Sequence, residues 1–237
     1  MIGVTKDGNV VLLELQREER RNALNLEQCK AIHAAVDEAV VGGARAIVIT
    51  GKGTSFCSGA DLGGVYGDEF LGALYGMLHR LSEVPVPLIA AVNGPAIGAG
   101  TQLAIACDLR VADETAQFAI PTAKNGMAVD AWTIRTLADL AGHCSARRLM
   151  LAAETFDCEQ ALAVGLADRS GALGDAIAWA HEIAELAPLT LAHNKLILNG
   201  GNEAEIDASF AACWASEDVR EAALARSEKR SPRFSGR

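Results

Sequence analysis

"NGPAIGAGTQLAIACDL", residues 93–109, is the stretch that decides how the chain is read. Gly94, Gly98 and Gly100 lead into a run that is apolar apart from Thr101 and Gln102. Glycines at a helix start leave main-chain N–H groups uncovered, and the positive end of the helix dipole strengthens their pull on a polarised oxygen. The preceding "PVPLIAAVNG" (85–94) is a short apolar run of the kind that forms a buried strand. A second small-residue loop, "FCSGADL" at 56–62, follows another such run, "ARAIVITG" at 44–51. Loops at the ends of parallel strands line the usual ligand crevice of an open α/β sheet. One N–H from each loop, converging on a point, would make an oxyanion hole.

Working outward, "NVVLLEL" (9–15) predicts a strand within "MIGVTKDGNVVLLEL" (1–15), which is read as one first strand and not as a leader. "NLEQCKAIHAAVDEAV" (25–40) predicts a helix capped by Asn25, with Gln28 completing a capping box. "EFLGALYGMLHRLSEV" (69–84) is also helical. Strands separated by helices imply crossover connections and parallel pairing. From about residue 131 the pattern is almost wholly helical, ending in "EIDASFAACWASEDVREAALARSEKR" (205–230). The expected organisation is a sheet-containing core over 1–190 and a helical segment over 191–237. Tail helices with no sheet to cover predict oligomerisation.

The chain has 237 residues and a formal net charge of −9, with a pI near 5.1. That balance argues against nucleic acid or an anionic membrane as a general partner, since phosphates are repelled at long range. Two local exceptions are basic clusters: Arg17, Arg20 and Arg21, and Lys229, Arg230, Arg233 and Arg237. No apolar run approaches the roughly 20 residues of a membrane-spanning helix, and a cytoplasmic protein is expected. The six cysteines form no Cys-x-x-Cys pair and the five histidines no metal-ligand spacing, so reduced, packed thiols and no metal site are expected.

"GAGTQL" lacks the last glycine of a dinucleotide fingerprint, no Walker lysine follows the glycines, and "TSFCSG" is not a hydrolase elbow. Cys57 has no histidine in its local motif to activate it as a nucleophile.

"RNALN" (21–25), "FCSGADL" (56–62), "AAVNGPAIGAGTQLAIACDLRVADETAQFAIP" (90–121) and "EKRSPRFSG" (228–236), in that order, resemble the crotonase superfamily, the enoyl-CoA hydratase/isomerase family. The similarity spans essentially the whole chain. It implies an α/β fold with a ββα spiral core and C-terminal helices that mediate trimers or dimers of trimers. It also implies a coenzyme A thioester whose carbonyl sits between the N–H groups of Ala60 and Ala99, the latter where the family has glycine. For the coenzyme A moiety it points to Arg20 or Arg21, to Ser58, Gly59, Asp61 and Leu62 around the adenine, and to Lys229 and Phe234 from an adjacent subunit. Gly98 opens the helix beside the thioester, and Asp61 is structural in this pattern. No cofactor is implied beyond the coenzyme A of the ligand itself.

The departures matter as much. Where the family's hydratases carry two glutamates, this chain has Gln102 and Thr122. An amide orients water without accepting its proton, and a threonine hydroxyl is too weak an acid or base near neutral pH. Asp130 matches by position the proton-shuttling aspartate of dienoyl-CoA isomerases, and it equally suits a helix N-cap. Trp132 stands where hydratases carry glycine, so a bent or reshaped acyl pocket is expected.

The leading expectation is an acyl-CoA-binding homologue with weak or absent hydratase activity. It is similar to the noncatalytic mycobacterial branch associated with long-chain acyl-CoA and mycolic-acid synthesis, which implies a carrier role alongside fatty-acid synthase components. The alternatives are an active enoyl-CoA hydratase or enoyl/dienoyl-CoA isomerase using Asp130, and a structural partner protein without ligand.

Overall fold

The computed structural model describes residues 1–61, 63 and 67–237. In chain order the elements are β1 (Ile2–Asp7), β2 (Val10–Leu15), α1 (Leu26–Val41), β3 (Ala46–Gly51), α2 (Asp68–Glu83), β4 (Leu88–Val92), β5 (Pro95–Ile97) and α3 (Ala99–Ala106). There follow β6 (Leu109–Ala112), β7 (Gln117–Ala119), α4 (Ala131–Leu151), β8 (Thr155–Asp157), α5 (Cys158–Ala163), β9 (Arg169–Ser170), α6 (Leu173–Ala184), α7 (Pro188–Leu198), α8 (Glu203–Ala215) and α9 (Glu217–Glu228).

The main sheet runs β1-β2-β3-β4-β6-β9 and a smaller one β5-β7-β8. From β2 to β9 the main sheet is parallel, with β1 antiparallel at its edge. Two successive turns of chain each lay one strand in each sheet before a helix: β4 then β5 then α3, and β6 then β7 then α4. The result is a ββα spiral. Strands β3 and β4 are buried along their whole length, as expected when helices cover both faces. Alternate residues divide between the faces. Ile47, Ile49, Leu88 and Ala90 pack in the larger core with α1 and α2. Val48, Ile89 and Ala91 pack against Ala176, Ala180 and Ile183 of α6.

The structure departs from the sequence reading in several places. Residues 1–15 form a hairpin and not a single strand, pairing from Ile2↔Leu15 to Asp7↔Val10; the two-residue turn is Gly8-Asn9, with Gly8 at φ +59°. Asn25 does cap α1, accepting from Gln28 N at 2.8 Å, but the Gln28 side chain does not return to Asn25, so the box is half formed. The nearly all-helical second half contains β8 and β9. Gly142 (φ 76°, ψ 154°) breaks α4, and Ser216 at ψ 157° separates α8 from α9.

The C-terminal segment is fastened to the core. Lys195 of α7 donates to Leu81 O, Val86 O and Asp108. Arg45, at the entrance to β3, donates to Leu186 O and Phe234 O. Asp218 accepts from Ser235 N and Gly236 N. Among the described residues no helix is long and apolar enough to cross a membrane.

Candidate functional site

The "RNALN" segment is a bracket for the loop that carries Ala60. Arg21 and Asn22 take left-handed backbone conformations, φ 48° and 57°. Asn22 is buried and donates to Lys52 O and Ser55 O while accepting from Arg17 N. Ser58 donates through its N–H to Arg21 O and through Oγ to Arg20 O. Leu24 then pairs with Ala60: Leu24 N reaches Gly59 O at 2.8 Å and Asp61 N reaches Leu24 O at 2.7 Å. In this parallel pairing the intervening residue turns its own N–H to the opposite side, so Ala60 N–H faces away from the bracket.

Arg17 donates to Asp61 at 2.7 Å and to Ala23 O. Its guanidinium, helped by Gly63 N–H, holds the Asp61 carboxyl below the ordinary carboxylate range. This tie therefore contributes above that range and is lost as pH falls through the depressed value. Asn22→Ala is expected to destabilise the protein by about 2–3 kcal/mol, because it leaves buried carbonyls unpaired. Denaturant unfolding checks this; a cost within experimental error would remove Asn22 as the bracket.

The second loop is shaped by contact. A Cβ on Gly100 would lie 2.0 Å from Cys57 O, which only glycine avoids. Gly98 caps α3 at φ 54°, ψ −114°, a conformation reserved for glycine. Its N–H is taken by Ala119 O, which leaves Ala99 as the first helical residue. A Cβ on Gly59 would come 4.0 Å from Ala99 N, so the two loops are pressed together. Among the described residues neither Ala60 N–H nor Ala99 N–H donates a hydrogen bond.

Both alanines line one cavity. Its apolar wall includes Phe70, Leu74, Met127 and Val129, and its polar side chains are Ser58, Tyr75, Gln102, Thr122 and Asn125. Among the described residues no carboxylate, imidazole or amine lines it.

Asp130 stands behind this wall, as the N-cap of α4. Its Oδ1 accepts from Thr133 N at 3.0 Å and Thr133 Oγ1 at 2.6 Å, and its Oδ2 lies 3.3 Å from His79 Nε2. Thr133 Oγ1 in turn accepts from Gln102 Nε2 at 2.8 Å. Trp132, expected to reshape or bend the acyl pocket, meets His79 edge-on at 5.4 Å and is not among the cavity residues.

Arg20 and Arg21 are exposed beside Ser58, whereas Arg17 is spent on Asp61. In the tail, Arg230 is bound by Glu221 and Glu228, which leaves Lys229 as an exposed cation at the end of α9. Lys229 and Phe234 do not line this chain's own cavity. Leu62 lies outside the described residues. Cys57 is fully buried, and desolvation pushes its thiol up to about 12, so it holds no reactive thiolate near neutral pH. Among the described residues no group of three or more His, Cys, Asp or Glu could hold a metal.

Sequence reasoning missed Asn22, Tyr75, Asn125 and Thr133. Asn22 lies inside the RNALN motif, where a polar residue in a turn is itself a signal. The others carry no local signal.

Comparison with known proteins agrees with this architecture. The family model for enoyl-CoA hydratase/isomerase matches residues 5–237, and the chain belongs to that family. It is 47% identical over 244 residues, covering 100% of both chains, to "Probable enoyl-CoA hydratase echA6" of Mycobacterium bovis. It is 32% identical over 253 residues to the 2,3-dehydroadipyl-CoA hydratase of Escherichia coli, covering 99% of this chain and 98% of that one. The crystal structure of the enoyl-CoA hydratase from Bacillus anthracis superposes with a TM-score of 0.91 at 25% identity, covering 100% of this chain and 99% of that one. The family supports a role in fatty-acid metabolism.

Proposed function

We propose that the protein binds fatty acyl-CoA thioesters in this cavity, with the thioester oxygen between the N–H groups of Ala60 and Ala99, and that it hydrates enoyl thioesters weakly or not at all. One observation carries the reading: the cavity presents two main-chain donors without acceptors but, among the described residues, no group able to move a proton near neutral pH. The oxyanion hole polarises a carbonyl, yet water addition also needs an acid and a base. The exposed Arg20 and Arg21, beside the loop from Ser58 to Leu62, suit the phosphates of coenzyme A. The reading needs no further cofactor and is that of a cytoplasmic carrier serving fatty-acid synthase components, mycolic-acid synthesis included.

Crotonyl-CoA hydration is expected to run about 10²–10⁴-fold below that of a glutamate-bearing hydratase of the family. Calorimetry with a long-chain acyl-CoA is expected to show binding. A rate near that of the active hydratase, or no binding, contradicts the proposal.

We further propose that 191–237 builds a trimer or a dimer of trimers and delivers Lys229 and Phe234 to a neighbouring subunit's ligand. Helix α8 buries none of its residues in the single chain, and Phe210, Trp214 and Leu198 stand 55%, 65% and 84% exposed; large apolar side chains left in water are what association covers. The double variant Phe210→Glu, Trp214→Glu should be monomeric by light scattering; an unchanged mass would place the interface elsewhere.

The second reading, isomerisation with Asp130 as proton shuttle, draws on the Asp130–Thr133–Gln102 contact that ends in the cavity wall. It requires Asp130→Asn to abolish turnover.

A further inference from the structure

Strand β1 is an edge of the main sheet, and its register fixes which of its main-chain groups face outward. Gln16 N donates to Met1 O at 3.0 Å, in line with the pairing from Ile2↔Leu15 to Asp7↔Val10. Met1 and Gln16 are therefore a hydrogen-bonded pair, and in an antiparallel ladder such pairs alternate with non-bonded ones. Gly3, Thr5 and Asp7 spend their N–H and C=O groups on β2, while those of Ile2, Val4 and Lys6 point away from the sheet. Among the described residues none of these outward groups has a partner.

Natural sheet edges are blunted by prolines, bulges, short strands or exposed charges. Strand β1 has six residues, an uninterrupted register and no proline. Its two charged side chains lie back on their own chain: Lys6 Nζ donates to Gly42 O at 3.1 Å, at the end of α1, and Asp7 lies 3.0 Å from His181 Nε2 of α6. The middle of the edge is left to Val4, 57% exposed.

We infer that this edge is an interaction surface for a second copy of the chain, β1 pairing antiparallel with β1 about a two-fold axis at Val4. Centred there, Val4 meets Val4 and Ile2 of each copy meets Lys6 of the other, so every outward N–H and C=O finds a partner. A centre at Gly3 or Thr5 leaves one outward residue of each strand unmatched, one at Ile2 leaves two, and one at Lys6 sets like charges opposite each other. The side chains agree with the Val4 centre. On one face two β-branched valines form a cross-strand pair, and on the other Gly3 leaves room for Thr5. The net gain from one such edge is small against the freedom lost on association, so edges already joined through the tail interface pair more strongly than isolated ones.

Two variants of the whole protein test this. Val4→Pro removes only an N–H that the folded chain does not use, at an edge position where proline is tolerated. It should keep the parent's denaturant midpoint, while the parent, compared at high concentration by light scattering, should have at least twice its mass. In Val4→Cys the two thiols would stand opposite each other at a Cα separation of about 5.5 Å, within disulfide reach, and diamide should convert the protein to a covalent dimer. Thr5→Cys, whose nearest copy is diagonal at about 7–8 Å, should yield at least tenfold less. A parent no heavier than a folded Val4→Pro protein overturns the self-pairing and assigns the edge to a strand of another protein. Equal cross-linking at positions 4 and 5 overturns the register, and so does a Val4→Pro protein that fails to fold, because its N–H would then serve the chain itself.

Discussion

Replacing Gln102 and Thr122 together by glutamate is expected to raise crotonyl-CoA hydration by about 10²–10³-fold, less than the product of two full acid–base contributions because such groups act as a unit. Both positions already face the cavity that Ala60 and Ala99 line. Gln102→Glu alone should gain little. A carboxylate at 102 would face a Thr133 oxygen whose hydrogen is committed to Asp130, placing two like charges across one hydroxyl. Such pairing raises the pKa of one partner. The base form of the glutamate introduced at position 102 would then accumulate only as pH rises, and the rate of the double variant should climb with pH. Adding Asp130→Asn removes the competing charge and should shift that climb to lower pH. The loss of enoyl absorbance across a pH series reads all of this. A double variant no faster than the parent, with binding intact, would mean that the two loops do not activate a thioester.

Ala99→Pro is expected to lower affinity for a saturated acyl-CoA at least tenfold, and any residual hydration by about 10²–10³-fold, the usual cost of one oxyanion-hole donor. Ala99 is the first residue of α3, where proline is tolerated because that N–H has no partner within the helix. Its N–H bonds to nothing else among the described residues, and the preceding residue is glycine, which lacks the Cβ that crowds the proline ring. The variant should therefore melt within a few degrees of the parent. Normal affinity in a folded Ala99→Pro protein would move the ligand away from this loop.

How much of this was legible in the sequence depended on the range over which each residue acts. Gly98 and Gly100 announced themselves because their cause is local: a backbone conformation at one, and the close approach of Cys57 O at the other. Helices α1 and α2 showed through their apolar spacing, and β3 and β4 through continuous apolar runs. Strands β5, β7, β8 and β9 are two or three residues long, too short to leave a period. Strand β1 is mostly exposed, so no apolar alternation separated it from β2. At the site, Asn22 works by bonding to carbonyls about thirty residues away, and Thr133 matters only because Gln102, 31 residues earlier, folds against it. Asp130 shows the limit most clearly. Its position suited both a cap and a shuttle, and only the fold shows the company of its two oxygens, Thr133 at Oδ1 and His79 Nε2 at Oδ2.

A carbonyl held by two peptide N–H groups is observed directly by isotope-edited infrared spectroscopy. With a saturated acyl-CoA carrying ¹³C at the thioester carbon, binding is predicted to move the C=O stretch to lower frequency than in water, and Ala99→Pro to cancel most of the shift. A bound thioester whose stretch matches that in water, or a shift that persists undiminished in Ala99→Pro, would contradict the account.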